Sequence, residues 1–218
     1  MRPLWDFDDL DGSERRFTEQ LEQEATGDGR AEVLTQLARV KGLRGLFAEG
    51  EELIAQAEAA SQGSPAAQAR ILMERGRLLR SNDKPERAAP LFEAAFKVAT
   101  EGGELALAAD AAHMGALAAA DRAGKIAWTE RGVEIAAASS DPQVYYWLGP
   151  LYNNLGWEYH DAGEYESALE AFRKALEARE RFPEMPALIA HAKEAIAESL
   201  SALGREDEAR RYRPGSGT

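Results

Sequence analysis

The clearest hydrophobic pattern in the chain lies between Gly149 and Ala175. Tyr152, Leu155, Gly156 and Tyr159 fall at i, i+3, i+4 and i+7, which puts large apolar side chains on one helical face with a glycine among them. Ala162-Gly163 then signals a turn, and Tyr165, Ala168, Phe172 and Ala175 rebuild a stripe on a second helix. Two amphipathic helices joined by so short a turn pack side by side as an antiparallel hairpin.

The same arrangement recurs along the chain. Leu34, Leu37 and Ala38 lead to Gly50, Ile54 and Ala57; Leu72, Gly76 and Leu79 lead to Ala88, Phe92 and Ala95, with Pro85 opening the second helix. Ile196, Ala197 and Leu200 precede Gly204 and Ala209 near the end. Between them, Ala106–Ala120 and Ile126–Ala138 form a weaker pair in which two registers compete. One sets Gly115 against Ala127; the other puts His113 at the crossing position and Gly132 at the equivalent of Ala175. Small residues at the crossings (Ala38/Gly50, Gly76/Ala88, Gly156/Ala168, Ala197/Ala209) are expected to let paired helices approach closely.

Leu155, Gly156, Tyr159, Ala168 and Phe172 occupy the positions of a known pattern, W-x2-L-G-x2-Y…A-x3-F, over about 34 residues. The chain thus resembles the tetratricopeptide repeat (TPR) family. The resemblance implies an all-α fold: an α-solenoid of about five helix-turn-helix repeats in a right-handed superhelix, closed by an N-terminal capping helix. The expected boundaries are a cap at 1–29 and a repeat array at 30–212, with units near 31–60, 69–100, 106–138, 149–182 and 190–212, then a disordered tail at 213–218. Equivalent positions at Ala31, Ala69, Ala106, Gly149 and Ala190 lie farther apart than the family's ~34 residues, as in divergent subclasses. In the cap, Asp11-Gly12-Ser13 reads as a turn and N-cap, and Trp5 and Phe7 are expected to pack on the helix that carries Phe17 and Leu21.

In such solenoids the first helices line a concave wall that holds an extended peptide or a partner helix. Spacing from the central repeat puts Arg70, Arg77 and Arg80 on the early wall and Asn153, Asn154, Trp157 and His160 on the middle, with His191 and Glu194 after them. The arginines suit a ligand carboxylate, because guanidinium forks bind it bidentately; the competing reading pairs them with Glu74 and its neighbours. Asn154 resembles one member of the carboxylate clamp of chaperone-binding TPR domains. The other clamp positions carry Asp110, Met114, His191 and Ala195, which disfavours that partner class. Mid-helix amides donate and accept, and so suit a peptide backbone, while Trp157 reads either as an aromatic anchor or as packing against a neighbouring helix.

Composition narrows the function. The 218 residues carry a net charge of −12, which argues against nucleic acid or an anionic membrane as the main partner. The absence of cysteine excludes disulfides, thiolate zinc sites and cysteine nucleophiles. His113, His160 and His191 lie on separate helices without metal-ligand spacing, and no phosphate-binding loop or serine-nucleophile motif occurs. The expectation is a non-enzymatic protein- or peptide-binding scaffold, without cofactor or metal, in a bacterial cytoplasm, with self-association allowed by apolar solenoid ends. The alternative is a sensor of a small molecule or signalling peptide that uses the same groove.

Overall fold

The fold is built from short caps and a single recurring turn. The computed structural model describes residues 4–213, which divide into a first unit ending at Ala118 and a second beginning at Ala119. The first unit holds α1 (Leu10–Gln23), α2 (Gly27–Leu43), α3 (Phe47–Ala60), α4 (Pro65–Ser81), α5 (Pro85–Glu101) and α6 (Leu105–Ala118). The second holds α7 (Arg122–Ala137), α8 (Pro142–Tyr145), α9 (Leu148–Asp161), α10 (Tyr165–Glu180), α11 (Pro186–Ala202) and α12 (Glu206–Ala209), which runs into a short 3-10 turn, Arg210–Tyr212. Among the described residues there is no strand, and the fold class is all-α.

Side-chain oxygens open several helices by accepting otherwise orphaned backbone N–H groups: Asp9 from Gly12 (2.8 Å), Thr26 from Gly29 (3.0 Å), Ser64 from Ala67 (3.2 Å) and Asp121 from Gly124 (2.7 Å). The turns after α2, α4, α5, α9 and α11 repeat one geometry. A residue with positive φ (Gly45, Asp83, Gly103, Gly163, Gly204) is followed by an amide that donates back to the carbonyl five residues earlier, as Glu164 does to Tyr159 (2.9 Å). Only Asp83 among the five is not glycine.

Each hairpin buries the stripe that its sequence announces. Ala38, Ile54, Ala57 and Leu78 share one core cluster, Ala88 and Phe92 another, and Ala168, Phe172, Ile196 and Leu200 a third. The glycines at the crossings make room for rings as well as for backbones. A Cβ on Gly76 would stand 2.6 Å from Phe92, and one on Gly156 would stand 2.4 Å from Phe172.

Several boundaries differ from the sequence expectation. α1 starts at Leu10 behind the Asp9 cap, so Ser13 is no cap; it lies buried inside the helix and exchanges hydrogen bonds with the Asp6 backbone (2.8 Å). α4 and α11 start at Pro65 and Pro186, ahead of the expected starts at Ala69 and Ala190, because proline is pre-formed for the first helical turn. The weak third pair falls where the chain divides, with α6 in the first unit and α7 in the second. The expected tail lies outside the described residues except for Arg213, which donates to Ser201 Oγ (2.8 Å).

Candidate partner-binding walls

In the first unit the residues expected on the early wall and their partners lie on α2, α4 and α6. Arg70 Nε donates to Glu32 (2.7 Å), and Arg80 Nε donates to the Leu117 carbonyl (3.2 Å). Arg77 bridges Glu74 on its own helix and Asp110 on α6, while Arg39 of α2 reaches Glu74 at 3.9 Å. Glu74 is 1% exposed, and its second oxygen has no hydrogen-bond partner. Burial works against the Arg77 charge, yet the facing Asp110 and Glu74 carboxylates hold its pKa above the ordinary value. Burial, helped by repulsion from Arg77, pulls Arg39 below its own. Burial likewise pushes His113 down to about 4, with Arg77, Arg80 and Arg39 opposing its protonation and Asp110 favouring it.

For Arg77 this favours the chain-paired reading over that of a ready carboxylate receptor. Both Nη groups of Arg77 are engaged by Glu74 and Asp110, while Arg70 and Arg80 each donate from Nε to an acceptor of the chain itself. Arg77 and Asp110 are not solvated surface charges either, since both side chains are mostly buried. The N-terminal segment covers the start of the same wall. The Trp5 indole N–H donates to Gln36 (2.9 Å), its ring stacks on Phe7 (centroids 4.9 Å apart) and meets Phe17 edge-on, and the Arg39 guanidinium lies over both stacked rings. Trp5 therefore packs on the cap as expected and also on α2; Phe7 remains largely exposed.

In the second unit the residues expected on the middle wall lie on α9. Trp157 is half-buried, with its ring edge-on to Phe172 of α10 (5.1 Å) and to His160 (5.2 Å), which in turn meets Tyr165. Asn153 Oδ1 and His160 Nε2 are buried without a hydrogen-bond partner. These two residues lie seven apart, hence on one face of α9, with Trp157 between them. α7 docks on the other side through Lys125–Glu158 (2.9 Å) and Arg122–Glu164 (2.9 Å). α11 rests chiefly on α10 and barely on α9, so exposed Glu194 and His191 do not continue the α9 stripe. Tyr146 and Trp147 pack on each other, and Tyr146 meets Phe182, within the second unit.

Two features escape a reading by spacing. A groove of about 460 Å³ opens in the first unit beside Phe47, Arg75, Leu78, Leu79, Asn82 and Arg87. In the second unit Arg179 is buried at the end of α10, where its sequence context looks like any exposed helix arginine. Among the described residues no three His, Cys, Asp or Glu side chains come together to hold a metal, and no helix is long and apolar enough to cross a membrane.

Stacked antiparallel helix hairpins with a polar wall on their first helices define the class of α-helical repeat proteins. Residues 150–182 match the family model described as Tetratricopeptide repeat, and the fold is like that of solved structures with tetratricopeptide-type repeats. BtubC from P. vanneervenii is similar in structure (TM-score 0.74) at 18% identity, over 95% of this chain and 89% of that one. A signal-transduction ATPase with numerous domains and a tetratricopeptide repeat sensor, from Pyrococcus horikoshii, is similar at TM-score 0.71 and 13% identity, over 93% of this chain and 32% of that one. A Rap protein complexed with Competence and Sporulation Factor gives TM-score 0.64 and 15% identity, over 94% and 68% of the two chains. No curated protein matches the chain in sequence.

Proposed function

We propose that this chain is a non-catalytic scaffold that binds a protein or peptide, with the Asn153–Trp157–His160 stripe of α9 as the contact surface. The observation that supports this reading is the pair of orphaned polar atoms, Asn153 Oδ1 and His160 Nε2, on one helical face beside a half-buried tryptophan. A buried polar atom without a partner costs about 1–3 kcal/mol, and a peptide backbone supplies both the N–H that the amide oxygen lacks and the groups that an imidazole nitrogen accepts or donates to. Asn154 adjoins the stripe on the same helix. In this reading Arg70, Arg77 and Arg80 hold the first-unit helices in place, and Glu194 stands apart from the contact.

The alternative, a sensor of a small molecule or signalling peptide, draws on the fold it shares with the Rap protein solved with Competence and Sporulation Factor. One experiment separates the two. Immobilised wild type and an Asn153→Leu/Trp157→Ala variant, matched by circular dichroism, are each exposed to lysate of the source cell. The scaffold reading expects a discrete protein retained by wild type and lost from the variant. Equal retention by both moves the contact away from α9, and retention by neither favours the sensor.

A further inference from the structure

The first unit holds an open groove and, elsewhere on its surface, a side chain whose chemistry matches it. The groove, of about 460 Å³, is lined by Leu78 and Leu79 of α4, by Phe47 at the start of α3 and by Arg87 of α5. α3 and α5 barely touch each other, which leaves the space between them open. Leu46, 40% exposed, precedes Phe47 in the chain and adds to the apolar surface there.

The two arginines of the groove differ. Arg75 is saturated: its Nε donates to Glu51 (2.7 Å) and its Nη groups donate to Glu58 (2.6 and 3.0 Å). Arg87 is exposed, and among the described residues its side chain has no ion pair or hydrogen bond; the Asn82 side chain beside it in the groove has none either. An apolar floor with one unengaged guanidinium suits an apolar side chain that carries a carboxylate next to it.

Phe7 offers that combination. At 59% it is the most exposed large hydrophobic residue described, and exposed Asp6 and Asp8 flank it. It is also held in place. Its ring stacks on Trp5 (centroids 4.9 Å apart), the Asp6 N–H donates to Ser13 Oγ (2.8 Å), and the Asp8 N–H donates to Asp6 Oδ1 (3.0 Å). A ring fixed in this way loses little freedom on insertion. The side chains that hold it, Trp5 and Arg39, are not among those that line the groove, so the ring meets only the groove of another molecule. An apolar knob complementary to a pocket elsewhere on the same surface makes head-to-tail contacts between copies.

We propose that the groove takes a second copy of this chain: Phe7 of one molecule enters over Phe47, Leu78 and Leu79 of the next, with Asp8 at Arg87. Asp8 is the partner because the Asp6 carboxylate already accepts the Asp8 N–H. One knob in one groove is smaller than the ~1,200 Å² of stable complexes, so the association is weak and depends on concentration.

The test is sedimentation equilibrium of the full chain up to millimolar concentration at physiological ionic strength. Wild type is expected to self-associate. Phe7→Asp, which removes the knob, and Arg87→Glu, which reverses the charge of the groove, should each weaken association by about tenfold or more. Both positions are exposed, so the fold should survive, as circular dichroism checks. Should either variant fail to fold, Asp8→Arg replaces the first, and Ala48→Trp, which fills the groove from an exposed position, replaces the second. An equimolar mixture of a knob variant and a groove variant should associate again, because each supplies the surface that the other lacks. A wild type that stays monomeric overturns the second copy as occupant and leaves the groove to a foreign protein. Association unchanged by either variant, or a mixture that stays monomeric, places the contact elsewhere and overturns the proposal equally.

Discussion

Gly156→Ala sets two opposed magnitudes against each other. In an exposed helix interior, alanine stabilises by about 1 kcal/mol over glycine. Here the new Cβ would stand 2.4, 2.5 and 2.8 Å from Cε1, Cδ1 and Cζ of Phe172. Normal carbon–carbon contact begins near 3.5 Å, so the ring must move by about 1 Å. It has nowhere to go: Phe172 is fully buried among Leu169, Ile196 and Leu200, with Trp157 edge-on at 5.1 Å. Three clashing atoms on an immobile ring place the overpacking cost near the top of the usual 1–3 kcal/mol range. Set against the helix gain, the net loss is about 2 kcal/mol, a fall of roughly 4–8 °C in melting midpoint for a chain of this size. Gly42→Ala is the control. Its Cβ would meet only the Leu78 Cδ2 methyl within close range (2.7 Å), the end of a flexible side chain, and should cost less. Urea unfolding of wild type, Gly156→Ala, Phe172→Leu and the double variant completes a cycle, in which the smaller side chain should relieve at least about 1 kcal/mol. Stabilisation by Gly156→Ala, or strict additivity in the cycle, would refute the close-packing argument.

Asp83→Gly should stabilise by about 0.5–1 kcal/mol in thermal melts, because Asp83 alone among the non-glycine residues described has positive φ (53°); no gain would mean that its side chain offsets the strain. Arg77→Met should cost about 3–5 kcal/mol by denaturant titration, since it strands Glu74 and Asp110 as buried carboxylates, and adding Asp110→Asn should recover part of the loss. A loss under 1 kcal/mol would show that solvent reaches them. For His113, the unfolded chain takes up a proton near pH 6.5 that the native histidine refuses until about 4, so stability should fall as pH drops through that window. The full effect is up to about 3 kcal/mol, and His113→Gln should flatten the slope between pH 6.5 and 4.5; an unchanged slope assigns it to other groups.

The hairpins were legible because a buried stripe needs its 3.6-residue period wherever the helix packs, and Phe92, Phe172 and Ile196 fall on it. The helix starts were less so. Pro65 reads equally as the end of a linker or as the first residue of a helix, and only the Ser64 cap bond to Ala67 decides between them. Spacing also offered Arg70, Arg77 and Arg80 as candidates for one wall, but not what they touch. Arg77 and Asp110 stand 33 residues apart, and their pairing depends on how α4 and α6 pack. The burial of Arg179 left no trace in the sequence, because the residues that enclose it come from the α8–α9 region and the start of α11.

The two units meet the cost of polar burial differently, and this bears on where a partner would bind. In the first, the guanidiniums of Arg39, Arg70 and Arg77 are distributed over carboxylates on neighbouring helices. Such a network adds little stability over apolar packing of the same shape, but its fork geometry ties α2, α4 and α6 to one relative placement. One atom of it, Glu74 Oε2, is left over. In the second unit, packing relies on rings (Trp157, Phe172, Tyr165), and Asn153 Oδ1, His160 Nε2, Arg179 Nε and Ser199 Oγ are all buried without partners. Each orphan that a ligand satisfies returns about 1–3 kcal/mol on binding, whereas displacing a satisfied pair returns almost nothing. On the proposed reading of the α9 stripe, substitutions of Asn153 or Trp157 should move affinity, while substitutions in the Arg77 network should move stability first.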